Sequence, residues 1–173
     1  DSDGYFEYSA VFTNGTISEA FIDTDKNGVP DLHENYQNGK LVLCESGYSG
    51  TTGFYYYKEI FSDNKIEKYW DNNKDLKYEI YEKTLADGSM CSYFDINSDG
   101  IYDYMHEGIE NGSYDVYTLN SDRTKKQKIK NTLIDKYGID NVMKVFVVTD
   151  NKNTDNENFN ETILTKEALQ ISK

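Results

Sequence analysis

Two stretches of this chain place oxygen-bearing side chains at every second position. The first runs Asp23-Thr-Asp-Lys-Asn-Gly-Val-Pro-Asp-Leu-His-Glu34, and the second runs Asp95-Ile-Asn-Ser-Asp-Gly-Ile-Tyr-Asp103. Both read Asp-x-(Asp/Asn)-x-(Asp/Asn)-Gly-(Val/Ile)-x-Asp. On a tightly curled loop such side chains converge on one point, and the glycine at the sixth place permits the turn. Hard oxygens in this arrangement suit Ca²⁺, which takes six to eight of them at about 2.3–2.6 Å. In the first copy the ligands expected are Asp23, Asp25 and Asn27, with Val29 through its carbonyl. Asp31 would bind directly or through water, and Glu34 stands at the twelfth, bidentate place. The second copy offers Asp95, Asn97, Asp99, the Ile101 carbonyl and Asp103. Its twelfth position is His106, with Glu107 one residue late, so a second, weaker Ca²⁺ site is expected there. Asp, Asn and Gly also dominate ordinary turns. Two copies of one ligand pattern favour the ion.

The elements that must position these loops are strands. Tyr5–Phe12 and Thr16–Ile22 flank Asn14-Gly15, and 32–37 and 40–44 flank Asn38-Gly39, each a two-residue hairpin signal. A Gly-rich break at 47–53 precedes a linking hairpin over 54–70. Leu76, Tyr78 and Ile80 alternate with Lys77 and Glu79 as in a half-buried strand, and the polar run 71–75 closes the hairpin before it. Strands over 89–94, 104–109 and 114–119 follow, turning at Asp87-Gly88 and Asn111-Gly112. Units 5–44 and 76–119 therefore share one plan: strand, tight turn, strand, acidic loop, strand, tight turn, strand. The fold class expected is mainly β (β-rich α+β): two related four-stranded antiparallel meanders with calcium loops in their hairpins. Residues 1–120 would hold this repeat, and 121–173 a C-terminal helix and strand packed on the same domain. The helix is expected over 123–137, capped by Asn120-Ser-Asp122 and stopped by Gly138, with Ile129, Leu133, Ile134 and Tyr137 on one face. "NVMKVFVV" (141–148) reads as a buried strand, 150–160 as a loop, and 162–172 as a last strand with a short helix.

Asn38-Gly39 arrives too soon after Glu34 for a helix of useful length, which excludes a helix–loop–helix EF-hand. "FIDTDKNGVPDLHE" resembles the calcium loops of bacterial thrombospondin type 3-like repeats. "YFDINSDGIYDYMHE" is similar to the strand-bridging loops of FG-GAP repeats. The likeness covers about fifteen residues at each place, a span set by the loop motif itself. It implies calcium ligation by Asp23, Asp25, Asn27, Asp31, Asp95, Asn97, Asp99 and Asp103, and a secreted or cell-surface bacterial protein. It does not imply a propeller, since two four-stranded units cannot close one.

Across 173 residues the formal net charge is −13, which opposes nucleic acid as a general partner. No apolar run is long enough for a membrane span. The sequence opens at Asp1 rather than Met, as when a leader has been removed or a longer protein continues. Aromatic residues make up 14% and sixteen are Tyr, a composition that leans towards sheet. The segment "GFYYYKEIF" with Trp70 reads first as cross-strand packing and second as a platform for sugar rings or a protein. Cys44 and Cys91 allow one disulfide and do not require it. His33 and His106 would make a zinc site only if the two repeats faced one another; strand positions beside a loop explain them more simply. Arg123, Lys125, Lys126, Lys128 and Lys130 form a basic cluster, read as a solvated face. Sequons at Asn14, Asn111 and Asn160 read chiefly as turn chemistry. No nucleophile elbow, phosphate-cradling glycine loop or Cys-x-x-Cys pair is present. The leading expectation is a calcium-stabilised secreted or surface module that binds an unknown protein or carbohydrate. The alternative is an acidic inhibitor or immunity-type protein capping a basic enzyme or toxin. A calcium-dependent polysaccharide-active enzyme comes third.

Overall fold

The computed structural model describes residues 6–85, 87–108, 114–129 and 131–143. The chain is mainly β, antiparallel throughout. The strands are β1 (Tyr8–Thr13), β2 (Thr16–Ile22), β3 (Leu32–Gln37), β4 (Lys40–Tyr48), β5 (Tyr55–Ser62) and β6 (Lys65–Trp70). They continue with β7 (Ile80–Thr84), β8 (Met90–Phe94), β9 (Tyr104–Gly108), β10 (Tyr114–Leu119) and β11 (Lys125–Ile129), before helix α1 (Asn131–Tyr137). Two compact units divide the chain, residues 1–92 and 93–173, and the division falls within β8.

In the first unit β1 to β7 are hydrogen-bonded strictly in chain order. Tight turns make this possible. Asn14 and Gly15 have φ of 52° and 75°, and Asn38 and Gly39 have 53° and 76°. Positive φ at both central residues gives the turn whose twist matches paired strands, and Asn-Gly adopts it at least cost. Asn64 and Gly88 turn two later hairpins at φ 61° and 85°.

Register places Phe21, His33, Glu45, Lys58, Tyr69 and Tyr81 side by side in one row. Ala20, Glu34, Cys44, Glu59, Lys68 and Glu82 form the adjacent row on the opposite face. The first row mixes rings with charges, while the second carries charges beside Ala20 and Cys44, with the paired rings Tyr57 and Trp70 two residues further along the same face. Among the described residues of this unit only Ala20, Tyr81 and Cys91 are buried hydrophobics, so most of its apolar side chains stay partly in contact with water. Tyrosine suits such a surface because its ring packs sideways while its hydroxyl finds an acid. The Tyr36 hydroxyl donates to Glu34 (2.6 Å), Tyr57 to Glu59 (3.0 Å) and Tyr69 to Glu67 (2.8 Å). The Glu34 bond, with burial, pushes the Tyr36 phenol up to about 12.

The second unit has a true core. Tyr104, Val116, Ile129, Val142 and Met143 pack together, with Phe94, Leu133, Ile134 and Ile139 against them. Apolar groups of β9, β10, β11 and the α1 region are removed from water together, which is the main favourable term in folding.

Three expectations are corrected. Leu76 to Glu79 belong to a loop, and β7 starts at Ile80. Arg123–Tyr137 is not one helix: Lys125–Ile129 pairs with β10 as β11, and only Asn131–Tyr137 is helical. Its lysines and glutamine are good helix formers, but Ile129 gains full burial opposite Val116, and that tertiary gain overrides local propensity. Residues 141–143 of the expected strand are helical, and the remainder of 141–148 lies outside the described residues. The segments expected over 150–160 and 162–172 lie outside them too.

Candidate metal centre

Asp23 directly follows β2 and is 4% exposed. Its Oδ1 accepts from the Asn27 N–H (3.2 Å) and its Oδ2 from the Gly28 N–H (2.7 Å). Asp25 Oδ1 accepts from Asn27 N–H (3.1 Å), and Asn27 Oδ1 from Val29 N–H (2.8 Å). Asp31 closes the loop by accepting Thr24 N–H at 2.7 Å and the Thr24 hydroxyl. That hydroxyl bond is the first cause holding the Asp31 carboxyl below its ordinary value. The loop bends on itself because Lys26 and Gly28 take left-handed backbones (φ 62° and 85°). One oxygen each of Asp23, Asp25 and Asp31 lies within 4.8 Å of the other two, so this group could hold a metal ion.

The expected second loop repeats the wiring. Asp95, 3% exposed, accepts from Asp99 N–H (3.3 Å) and Gly100 N–H (2.7 Å). Asn97 Oδ1 accepts from Asp99 N–H at 2.9 Å, Asp99 Oδ1 from Ile101 N–H at 2.8 Å, and Asp103 Oδ2 from Ile96 N–H at 2.9 Å. Burial, then the charges of Asp95 and Asp99, push the Asp103 carboxyl up. Among the described residues, however, three carboxylates do not converge within 4.8 Å in this loop.

A loop that the sequence reading did not recognise does converge. Between β6 and β7, Asp71 is 3% exposed and accepts from Lys74 N–H (2.6 Å) and Leu76 N–H (2.9 Å). Asn73 Oδ1 accepts from Asp75 N–H (2.9 Å), Asp75 Oδ1 from Lys77 N–H (3.0 Å), and Glu79 Oε2 from Asn72 N–H (2.8 Å). Position by position this is the pattern of the other two loops. Lys74 and Leu76 carry φ of 63° and 74°, where the first loop has Lys26 and Gly28. One oxygen each of Asp71, Asp75 and Glu79 falls within 4.8 Å of the others, a second group able to hold a metal. Burial, with Asp71 and Asp75 as like charges, raises the Glu79 carboxyl. Its Oε1 is buried with no hydrogen-bond partner. The signal was legible as Asp-x-Asn-x-Asp, but Leu replaces the glycine and Glu the final aspartate.

Other expected ligands are placed elsewhere. Glu34 lies within β3, opposite Ala20 and Cys44, and accepts from Tyr36, away from the converging carboxylates. The Val29 and Ile101 side chains are exposed. Glu107 pairs with Lys125 at 2.6 Å. His33 is bracketed by Glu19 (2.8 Å to Nε2) and Glu45 (3.0 Å to Nδ1). His106 stacks on Tyr114 (4.6 Å, 15°) and packs against Phe94 and Tyr104. Cys44 and Cys91 are free thiols.

The aromatic segment packs sideways along the sheet. Tyr55 meets His33 (5.8 Å) and Tyr48 (5.0 Å), while Tyr57 meets Trp70 (5.3 Å). Within the basic cluster, Lys128 pairs with Asp115 (2.7 Å) and Arg123 lies over the Tyr102 ring (5.0 Å). No described helix is long and apolar enough to cross a membrane. The chain matches no protein-family model, no curated protein and no solved structure.

Proposed function

We propose that the 23–31 and 71–79 loops each bind one Ca²⁺, and that the 95–103 loop binds it more weakly. The observation that carries this reading is Glu79: a carboxylate beside two others, with one buried oxygen left without a donor. A bound cation would satisfy that oxygen and turn mutual repulsion into shared attraction. The ligands are all hard oxygens, which suits Ca²⁺ or Mg²⁺ rather than a thiophilic metal. Between the two, Ca²⁺ accepts varied ligand numbers and angles, whereas Mg²⁺ demands a near-ideal octahedron. Asp23, Asp25, Asn27 and Asp31 serve the first site, with the Val29 carbonyl; Asp71, Asn73, Asp75 and Glu79 serve the second. Asp95, Asn97, Asp99 and Asp103 serve the third, with the Ile101 carbonyl.

On this reading the protein is a bacterial module, secreted or displayed at the surface, whose loops are set by extracellular calcium and which binds a protein or carbohydrate. Its hairpins form an internal repeat: turn residues Gly15, Gly39, Asn64 and Gly88 follow one another at 24, 25 and 24 residues. The loops keep their resemblance to thrombospondin type 3-like and FG-GAP calcium loops. The test is a thermal melt in EDTA and across a calcium titration, with Mg²⁺ as control. The expected result is a calcium-specific rise of about 2.7 kcal/mol per site at a hundred times the dissociation constant. A melt indifferent to calcium would reject the metal sites. The net charge of −13 would then favour an acidic protein that caps a basic enzyme or toxin.

A further inference from the structure

Among the described residues β1 pairs only with β2, so within them one side of its backbone ladder is unpaired. Which residues face outward follows from the bonds on the inner side. The Glu7 carbonyl accepts from Asp23 N–H (3.0 Å), and the Val11 carbonyl accepts from the Ser18 hydroxyl (3.2 Å). Odd-numbered residues therefore turn their peptide groups towards β2, and Tyr8, Ala10 and Phe12 turn theirs away. The register jump between Val11 and Phe12 skips Ser18, so the extra residue belongs to β2 and β1 itself is regular.

An open edge of this kind is normally blunted by charge, proline or a bulge in the edge strand. Tyr-Ser-Ala-Val-Phe-Thr contains none of these. Its side chains are also bare: Tyr8 is 54% exposed, Val11 48% and Phe12 64%. By contrast β11 carries Lys125, Lys126 and Lys128. Two β11 strands paired antiparallel about Gln127 would set Lys126 against Lys128 of the other copy.

We propose that β1 is a self-association edge, which takes the β1 strand of a second copy of this chain in antiparallel pairing centred on Ala10. The strand is self-complementary in that register. Ala10 meets Ala10 of the other copy and exchanges two N–H···O=C bonds with it. Tyr8 meets Phe12, giving an aromatic cross-strand pair on each side of the two-fold axis. Glu7 comes opposite Thr13 and is already tied to Lys26 at 2.9 Å. No like charges oppose one another, so this edge lets two chains of charge −13 touch without a local clash. Their long-range repulsion remains, and salt screens it. The pairing is isologous and stops at a dimer.

Sedimentation equilibrium across protein concentration, at low and high salt, tests this on the full chain. The expected result is a monomer–dimer equilibrium that tightens with salt. Ala10→Pro removes an outward N–H and leaves the β1–β2 ladder intact, since proline is tolerated where its nitrogen faces away from the sheet. Phe12→Lys breaks the aromatic pair. Each should weaken dimerisation about tenfold or more while the thermal melt of the dilute monomer is retained. A monomer at every concentration and salt, a dimer insensitive to both variants, or open-ended growth beyond the dimer would overturn the proposal.

Discussion

Leu76 holds a left-handed backbone at φ 74°, and from there its N–H reaches Asp71 Oδ2 at 2.9 Å. The same bond is made by glycine in the other two loops. A side chain with a branched γ-carbon pays steric energy for that conformation, roughly 1–2 kcal/mol.

Leu76→Gly should therefore stabilise the protein. The Leu76 side chain is 43% exposed, so little burial is lost. Relief of strain against the larger backbone entropy of glycine leaves a gain of about 0.5–1 kcal/mol. A urea titration checks it: the midpoint should rise with an unchanged slope, and a fall would mean the leucine packs usefully where it is.

Glu79→Gln keeps the size of the side chain and removes its charge. The calcium-induced rise in melting temperature should shrink by the share of that site, Asp23→Asn should remove the share of the 23–31 site, and the weaker 95–103 loop should keep its own. The two sites have no ligand in common, so the effects should add. Isothermal titration of each variant counts the remaining sites. An unchanged count for Glu79→Gln would leave that loop an acidic turn.

Burial pulls the His106 pKa below its ordinary value. Its neighbours Phe94, Tyr104 and Tyr114 offer rings, and Nε2 has no partner. The unfolded chain thus takes up the proton more readily than the folded one. Stability conferred by neutral His106 is complete well above the unfolded value of about 6.5 and drains away as pH falls below it. Chemical denaturation at pH 7 and pH 5 should show a larger loss for the native chain than for His106→Phe. Equal losses would place the acid sensitivity in the carboxylate loops.

The two units should answer core truncation differently. Ile129 is 1% exposed within the packed cluster, and Ile129→Ala should cost about 2–5 kcal/mol. Ile60 lies half-buried on a sheet face. Ile60→Ala leaves no closed cavity and should cost clearly less. Equilibrium unfolding of both variants gives the comparison, and equal costs would mean that Ile60 is covered in solution.

Much of this arrangement was legible in the residues. Asn-Gly pairs mark hairpins because few residues accept positive φ twice in succession, and they located the turns at 14–15 and 38–39. Alternating acids located two of the three loops. The 71–79 loop was hidden because Leu76, Tyr78 and Ile80 imitate the alternation of a strand while the glycine that would have announced the turn is absent. Glu34 was attractive as a ligand by its place in a linear pattern. Pairing of β3 with β2 and β4 carries it up the strand instead. The helix expected over 123–137 failed for another reason: its lysines favour a helix locally, but the strand they form buries Ile129 opposite Val116. That partner lies across a hairpin, and helical periodicity along 123–137 carries no sign of it.

Because each strand from β1 to β7 bonds, among the described residues, only to its neighbours in the chain, no long-range crossing among these residues ties the first unit together. A hairpin could be duplicated or deleted by a single genetic event, and the strands on either side would close up on each other with their pairing rules unchanged. The unit is thus open to change in length as a sentence is to an added clause. Each new clause arrives with its own turn and its own loop.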